Sequence, residues 1–223
     1  MANNDIFVVS APSGTGKTTL NQRLVSTHSA SVEISISLTT RAMRANEKAG
    51  VDYHYVSPAQ FQKSVDAGEM LEWANVFGNL YGTSIQEISR IRKKGHKVIL
   101  EIDVQGWQKA KPKLPGAVSV FIIPPSIDTL WRRLETRGTD NLEVRWRRLQ
   151  TARNEIASGS NYDCFIVNDT LETAYAELES IIIGGNPGKV PRPAGVALCQ
   201  KLLREFDSSD LLKDLRGKFA GNF

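Results

Sequence analysis

A glycine-rich loop between an apolar run and a helical pattern is the feature that most limits what this chain can fold into. Residues 6–10 read Ile-Phe-Val-Val-Ser, which is typical of a strand buried on both faces. The next nine residues read Ala-Pro-Ser-Gly-Thr-Gly-Lys-Thr-Thr, and a helical pattern follows over residues 20–25. Strand, glycine-rich loop and helix in this order predict a P-loop, whose backbone N–H groups surround phosphate oxygens.

The P-loop pattern assigns a role to each part of the loop. Lys17 reaches the β- and γ-phosphates of a nucleoside triphosphate, and the Thr18 hydroxyl is a ligand for Mg²⁺. We expect the whole loop to bind ATP: Ala11, Pro12, Ser13, Gly14, Thr15, Gly16, Lys17, Thr18 and Thr19. The pattern usually begins with glycine, and alanine at this position is acceptable where φ is negative. The alternative is an ordinary turn between a strand and a helix.

Apolar runs separated by helical patterns recur along the chain. They lie at residues 98–103, 118–123 and 164–167, and their alternation with helices predicts an α/β fold with a parallel sheet flanked by helices. Residues 35–96 are too long for a simple crossover helix and are expected to form an inserted lobe. Its own strand lies near residues 53–56, and its helix lies near residues 58–67.

A second insertion, residues 126–159, has a wholly helical pattern and is rich in arginine: Arg132, Arg133, Arg137, Arg145, Arg147, Arg148 and Arg153. By itself this composition favours a solvated helix face, with nearby acidic side chains as partners. The alternative is a cationic surface that meets a phosphate ligand.

The end of the chain is predicted to be a linker followed by a short helix. After a helix over residues 171–183, residues 184–195 are rich in glycine and proline. Apolar residues from Val196 to Phe206 then follow helical spacing. We expect this tail, residues 184–223, to be dispensable for activity. The alternative is that its helix docks on the rest of the protein and stabilises it.

Composition excludes several classes of protein. Hydrophobic residues make up 41% of the 223 residues, which is typical of globular domains. Cys164 and Cys199 are far apart, so they predict neither a disulfide framework nor a cysteine zinc site. The net charge is 28 − 24 = +4, which suits an anionic ligand and is too small to indicate nucleic-acid binding. With no long apolar segment in the sequence, we expect a cytoplasmic protein with no membrane partner.

Two arginines three residues apart suggest a second anion site, in the inserted lobe. Guanidinium groups at Arg41 and Arg44 can bind one phosphate dianion, and Tyr53 and Tyr81 can add hydroxyl donors. The alternative is that these are ordinary surface arginines and half-buried tyrosines.

The order of the motifs resembles the guanylate kinase family over residues 5–183. The resemblance is carried by Ser37-x-x-x-Arg41-x-x-Arg44, Asp52-Tyr53, Leu71-Glu72-Trp73, Phe77-Gly-Asn-Leu-Tyr81-Gly-Thr83, Leu100-Glu-Ile-Asp103-Val-Gln-Gly106, Arg137-Gly-Thr139 and Ile166-Val-Asn168-Asp169. It implies transfer of a phosphoryl group from ATP to GMP in purine nucleotide metabolism, with Mg²⁺ as cofactor. It also implies a division into a core (1–34, 97–125, 160–183), a GMP-binding lobe (35–96) and a helical lid (126–159).

The resemblance implies roles for individual residues. Glu72 would read guanine, with the Ser37 and Thr83 hydroxyls near the base. On the GMP phosphate side stand Arg41, Arg44, Tyr53, Tyr81 and Glu101. The transferring phosphoryl group would meet Lys17, Arg133, Arg137 and Arg148. Asn168 would lie near adenine, and Asp103 would hold Mg²⁺ through water.

Two other functions remain possible for such a chain. Domains that resemble guanylate kinase also serve as protein-binding modules without catalysis, and intact Lys17 and Thr18 argue against that role. A P-loop kinase for a sugar phosphate would lack the guanine reader, and Glu72 argues against it. The sequence indicates no oligomeric state.

Overall fold

The computed structural model describes residues 5–76, 78–136 and 141–219. These residues form two compact units, and the boundary between the units falls within strand β1. The first unit comprises Met1–Val8 and Val25–Val118, and the second comprises Val9–Leu24 and Ser119–Phe223. Among the described helices, none is long and apolar enough to cross a membrane.

The first unit contains a parallel group of strands and a separate mixed sheet. Its strands are β1 (Ile6–Ser10, the first three residues), β2 (Val32–Ile34), β3 (Leu38–Thr39), β4 (His54–Tyr55), β5 (Met70–Val76), β6 (Asn79–Ser84) and β7 (Lys97–Leu100). Strand β7 pairs in parallel with β1, where Val98 is opposite Ile6. It also pairs in parallel with β2, where Lys97 is opposite Val32. The mixed sheet has the order β4-β3-β6-β5.

The helices of the first unit are α2 (Pro58–Asp66), α3 (Ile85–Lys93) and α4 (Val104–Ala110). Helix α2 begins as the sequence dictates, because Ser57 and Gln60 form a reciprocal capping box and Pro58 occupies the first turn. Strand β7 is shorter than predicted: it ends at Leu100 instead of residue 103. The reason is that the Asp103 carboxylate accepts the Gly106 N–H at 2.7 Å and thereby starts α4.

The second unit holds the P-loop, two parallel strands and the remaining helices. The elements are α1 (Lys17–Thr27), β8 (Val118–Ile123), α5 (Ile127–Glu135), α6 (Leu142–Ala157), β9 (Cys164–Val167), α7 (Leu171–Ile182), α8 (Arg192–Ser208) and α9 (Asp210–Phe219). Strands β8 and β9 pair in parallel, with Val120 opposite Cys164. Parallel strands with intervening helices confirm the predicted α/β class.

The tail differs from its prediction as a linker and one short helix. Helix α8 begins at Arg192. The proline at position 193 does not prevent this, because proline is tolerated in the first turn of a helix. One face of α8 is buried, and a Cβ atom on Gly195 would overlap the Phe165 ring of β9. Val190 adds an antiparallel bridge to Phe165. The tail is therefore docked on the second unit.

Polar contacts also join the tail to the helices of the predicted lid. The Asp207 carboxylate pairs with the Arg153 guanidinium on α6 at 3.2 Å, and Glu205 accepts the Ile127 N–H at the start of α5 at 3.3 Å.

The thiols of the two cysteines are buried, which raises the pKa of Cys164 to about 11 and that of Cys199 to about 12. Both cysteines are free and serve as packing residues.

Candidate functional site

The P-loop follows β1 and leads directly into α1, as predicted. The Thr15 N–H donates to the Pro12 carbonyl at 3.1 Å, which closes a turn, and the Leu20 N–H donates to the Gly16 carbonyl at 3.2 Å. Gly14 and Gly16 have φ values of +89° and +95°, in the left-handed region that favours glycine. The glycines of the motif are thus required by the backbone of the loop.

Side chains of the second unit press closely on both glycines. A Cβ atom on Gly14 would lie 2.8 Å from Leu134 of α5, and one on Gly16 would lie 2.8 Å from the Asn168 amide nitrogen. The Ser13 N–H donates to the Glu155 carboxylate of α6 at 3.0 Å. Helices α5 and α6, the described part of the predicted lid, therefore pack against the loop.

Asn168 contributes to the shape of the loop. Its side chain is buried, and its amide donates a 2.7 Å hydrogen bond to the Thr15 carbonyl. The sequence distance between these residues is 153, so no local pattern indicates this contact. Asn168 thus contacts the P-loop itself.

The predicted lid arginines have different surroundings. One terminal nitrogen of Arg133 donates to the Asp169 carbonyl at 3.1 Å, while the other is buried without a hydrogen-bond partner among the described residues. Burial lowers the pKa of Arg133. Arg148 is half-buried on α6, and Arg137 lies outside the described residues. A buried cationic donor without a partner is costly, so Arg133 is suited to receive an anion.

In the first unit, the mixed sheet aligns the predicted guanine readers. Glu72 on β5 is directly opposite Thr83 on β6, and Leu38 on β3 is opposite Gly82. Ser37 immediately precedes Leu38, the first residue of β3. Opposite residues share one face of a sheet, so the Glu72 and Thr83 side chains form a row across it.

Glu72 is a buried carboxylate held by its neighbour in this row. It is 8% exposed, and its Oε1 accepts a hydrogen bond from the Thr83 hydroxyl with an O···O distance of 2.7 Å. Burial raises the pKa of Glu72, and the nearby Asp103 carboxylate adds to the rise. A buried acceptor of this kind suits a ligand with adjacent N–H donors.

The predicted phosphate ligands cluster around Tyr81, two residues from Thr83 on the same face of β6. The Arg41 Nε donates to the Tyr81 hydroxyl at 3.0 Å, and its guanidinium lies 5.6 Å from the Tyr53 ring centre. The Tyr53 and Tyr81 rings meet edge to face at 5.8 Å. Arg44 belongs to the same loop, with 70% of its side chain exposed.

Glu47 joins this cluster and was missed by the sequence analysis. Its carboxylate binds the Arg41 guanidinium at 2.7 Å and accepts the Arg44 N–H at 2.8 Å. The signal available in the sequence was spacing, since Glu47 stands three residues after Arg44, as Arg44 stands three after Arg41.

The two carboxylates after β7 face different neighbours. A Cβ atom on Gly106 would lie 3.2 Å from both the Asp103 and the Glu72 carboxylates, so Asp103 lies beside Glu72. Glu101 contributes to raising the pKa of Tyr53, after the larger effects of burial and Tyr81, and so lies near the phosphate cluster.

The donors present suit a metal ion that arrives with a nucleotide. No group of three or more His, Cys, Asp or Glu residues is arranged to hold a metal within the described ranges. Thr18 is exposed on the first turn of α1. One hydroxyl without a cage of carboxylates fits Mg²⁺, which keeps several waters and binds mainly to substrate phosphates.

Comparison with known proteins identifies the family. A family model described as guanylate kinase matches residues 3–184. The chain belongs to the guanylate kinase family. The resemblance inferred from the motifs is thereby confirmed, and the family match ends before α8 and α9.

Individual members of the guanylate kinase family agree with this assignment. A guanylate kinase from Neisseria gonorrhoeae is 48% identical over 178 residues, covering 80% of this chain and 86% of that protein. One from Myxococcus xanthus is 45% identical over 179 residues, covering 80% and 85%. The crystal structure of guanylate kinase from Anaplasma phagocytophilum matches with a TM-score of 0.63 and 33% identity, covering 81% and 85%.

Proposed function

We propose that this chain transfers the γ-phosphoryl group of ATP to GMP and releases ADP and GDP. The observation that carries the proposal is on β6. There Thr83, which is hydrogen-bonded to Glu72 of the neighbouring strand β5, stands two residues from Tyr81, around which the proposed phosphate ligands cluster. A base reader and a phosphate site at this separation suit a nucleoside monophosphate, in a chain of the guanylate kinase family.

The base is selected by hydrogen-bond complementarity. Guanine presents N1–H and its 2-amino group as adjacent donors, which the Glu72 carboxylate accepts. The Ser37 hydroxyl donates to guanine O6, and the Thr83 hydroxyl holds Glu72 in place. Because Asp103 lies beside Glu72, we place Asp103 on the base side too, in preference to the Mg²⁺ role that the resemblance implied. Glu101 stays on the phosphate side of GMP.

The GMP phosphate is bound by Arg41, Arg44, Tyr53 and Tyr81. No general base is required, because the attacking phosphate oxygen is already anionic near neutral pH. The work of the protein is to position two polyanions and to neutralise the charge that develops on the transferred group.

That charge is met by cationic groups around the ATP phosphates. Backbone N–H groups of residues 11–19 hold the phosphates, with Lys17 at the β- and γ-phosphates. We assign Arg133, Arg137 and Arg148 to the transferring group, with the unpartnered nitrogen of Arg133 in support. Asn168 acts through the Thr15 carbonyl that it holds.

Thr18 is the residue we assign to the Mg²⁺ that accompanies ATP. When bound, this ion neutralises phosphate charge and orients the β- and γ-oxygens. The substrates are small nucleotides, so we place the activity in purine nucleotide metabolism and in the cytoplasm, with no nucleic-acid or membrane partner.

A coupled assay of ADP release with GMP, AMP and ribose bisphosphate tests the proposal. We expect GMP to exceed AMP by at least about three decades in kcat/KM, because adenine leaves Glu72 unpaired. Turnover of ribose bisphosphate would identify a sugar-phosphate kinase. Absence of turnover with all three acceptors would identify a non-catalytic binding module.

A further inference from the structure

The Glu47 carboxylate is fully engaged within the proposed phosphate site. Oε1 binds the Arg41 Nη2 at 2.7 Å, and Oε2 accepts both the Arg44 N–H and the Tyr55 hydroxyl at 2.8 Å. Only 12% of its side chain is exposed. These bonds hold the pKa of Glu47 at about 2, so the group is ionised at neutral pH.

The effect of Glu47 on Arg41 follows from counting donors. Arg41 has five N–H groups. One at Nε donates to Tyr81, one at Nη1 to the Ala42 carbonyl, and one at Nη2 to Glu47. Among the described residues, this leaves one N–H on each terminal nitrogen, the number that a bidentate contact with a phosphate requires.

Charge alone would disfavour an acidic residue here. Arg41 and Arg44 carry two positive charges, and Glu47 reduces the sum to one beside a ligand whose phosphate is a dianion. Removing the carboxylate would strengthen the long-range attraction for GMP. Any benefit of Glu47 must therefore come from geometry.

We infer that Glu47 is a positioning residue: its carboxylate orients the Arg41 guanidinium and the Arg44 backbone to receive the GMP phosphate. The inference rests on the proposed function. Arginine loses much side-chain freedom when it binds a ligand, and a guanidinium already held on three nitrogens loses less. The gain in preorganisation outweighs the opposing charge.

The test compares GMP with guanosine, which shares the base and lacks the phosphate. We would measure both dissociation constants by calorimetry for wild type, Glu47→Gln and Glu47→Asp. Gln removes the charge and at least one of the three accepted hydrogen bonds, because its amide nitrogen cannot accept, whereas Asp keeps the charge on a shorter side chain. Both variants should weaken GMP binding at least about tenfold, as expected for lost charge-assisted bonds, with guanosine binding unchanged. In turnover, KM for GMP should rise more than kcat falls.

The matched control is Glu69→Gln, another lobe carboxylate, which within the described part of the chain accepts a hydrogen bond from Gln86 and none from an arginine. It should leave both constants unchanged. Tighter GMP binding by Glu47→Gln would overturn the inference, because charge would then outweigh geometry. Equal weakening of GMP and guanosine would also overturn it, since the role would then be to support the lobe. Failure of wild type to phosphorylate GMP despite binding it would refute the proposed function alone.

Discussion

The Thr83 hydroxyl donates a 2.7 Å hydrogen bond to the buried carboxylate of Glu72, across the antiparallel pair β5 and β6. The bond occupies Oε1 from one side and fixes the plane of the carboxylate. The proposed guanine reader is thus held in place by the protein itself, and we expect its burial to make it selective. An unmatched base would leave a desolvated acceptor without a partner.

Replacing Glu72 by Gln should therefore lower kcat/KM for GMP without lowering the stability of the fold. An amide offers only one acceptor and directs an N–H at the donors of guanine, so we expect kcat/KM for GMP to fall by roughly 10³-fold or more. Burial raises the pKa of Glu72, so its charge opposes folding at neutral pH, and the variant should melt no lower than wild type. Unchanged GMP kinetics would contradict the assignment.

Lys17→Ala tests the P-loop. Loss of one preorganised charge at a developing oxyanion should lower kcat by at least about a hundredfold, with the melting temperature unchanged. Lys63→Ala, at an exposed position of α2, is the control and should retain full activity. Near-normal turnover of Lys17→Ala in the coupled assay would refute the role of the loop.

The Arg133→Met variant tests whether Arg133 binds the transferring phosphoryl group or only supports the fold. Because one terminal nitrogen of Arg133 is buried without a partner among the described residues, removal of the charge should leave Tm unchanged or higher. Turnover should fall by about a hundredfold or more. Arg132→Met, at the preceding and exposed position of α5, should change neither turnover nor Tm. A fall in Tm in step with kcat would mean that Arg133 only supports the fold.

Gly195→Ala tests the docking of the tail. A Cβ atom there overlaps the Phe165 ring, so the variant should lose about 3 kcal/mol of unfolding free energy and roughly 6–12 °C in Tm. Gly217→Ala is the control on α9, because among the described residues the added carbon meets no atom within 4 Å apart from its chain neighbours and the backbone of its own helix. It should stabilise slightly through helix propensity. Equal Tm values for Gly195→Ala and wild type would contradict the packing.

The docking of the tail changes what we expect of a truncated protein, because stability should now be affected even where activity is not. Truncation after Ile183 is still predicted to leave activity within a few-fold, because the family motifs end there. The truncated protein should nevertheless melt lower, since it loses the packing of Cys199, Leu202 and Phe206. Loss of activity in a truncated protein that is still folded would refute this prediction.

Acid unfolding should report the bonds of Glu47. Its pKa is lowered from 4.5 to about 2, so the stability it contributes is present above pH 4.5 and is lost as pH falls toward 2. The difference in unfolding free energy between wild type and Glu47→Gln should therefore shrink over that interval. Denaturant titrations at pH 6, 4 and 2.5 measure it, and a difference independent of pH would contradict the ion pair.

Local patterns determined the parts of this protein that are built from neighbours along the chain. The sequence from residue 6 to the first turns of α1 predicts the strand, the P-loop and the helix, because strand and helix periodicities and glycine's conformational freedom act over a few residues. The order of the motifs identified the family and, through it, the residues of each proposed subsite.

Only the tertiary structure decided the contacts that support those residues. Asn168 reaches Thr15 across 153 positions, and Phe165 meets Gly195 on the tail; no periodicity encodes either pairing. The proximity of Asp103 to Glu72 and the bonds of Glu47 to Arg41 likewise depend on side-chain packing. The spacing of apolar residues along the sequence predicts which face of a helix or strand is buried. Which atoms meet across that face is set by how the elements pack.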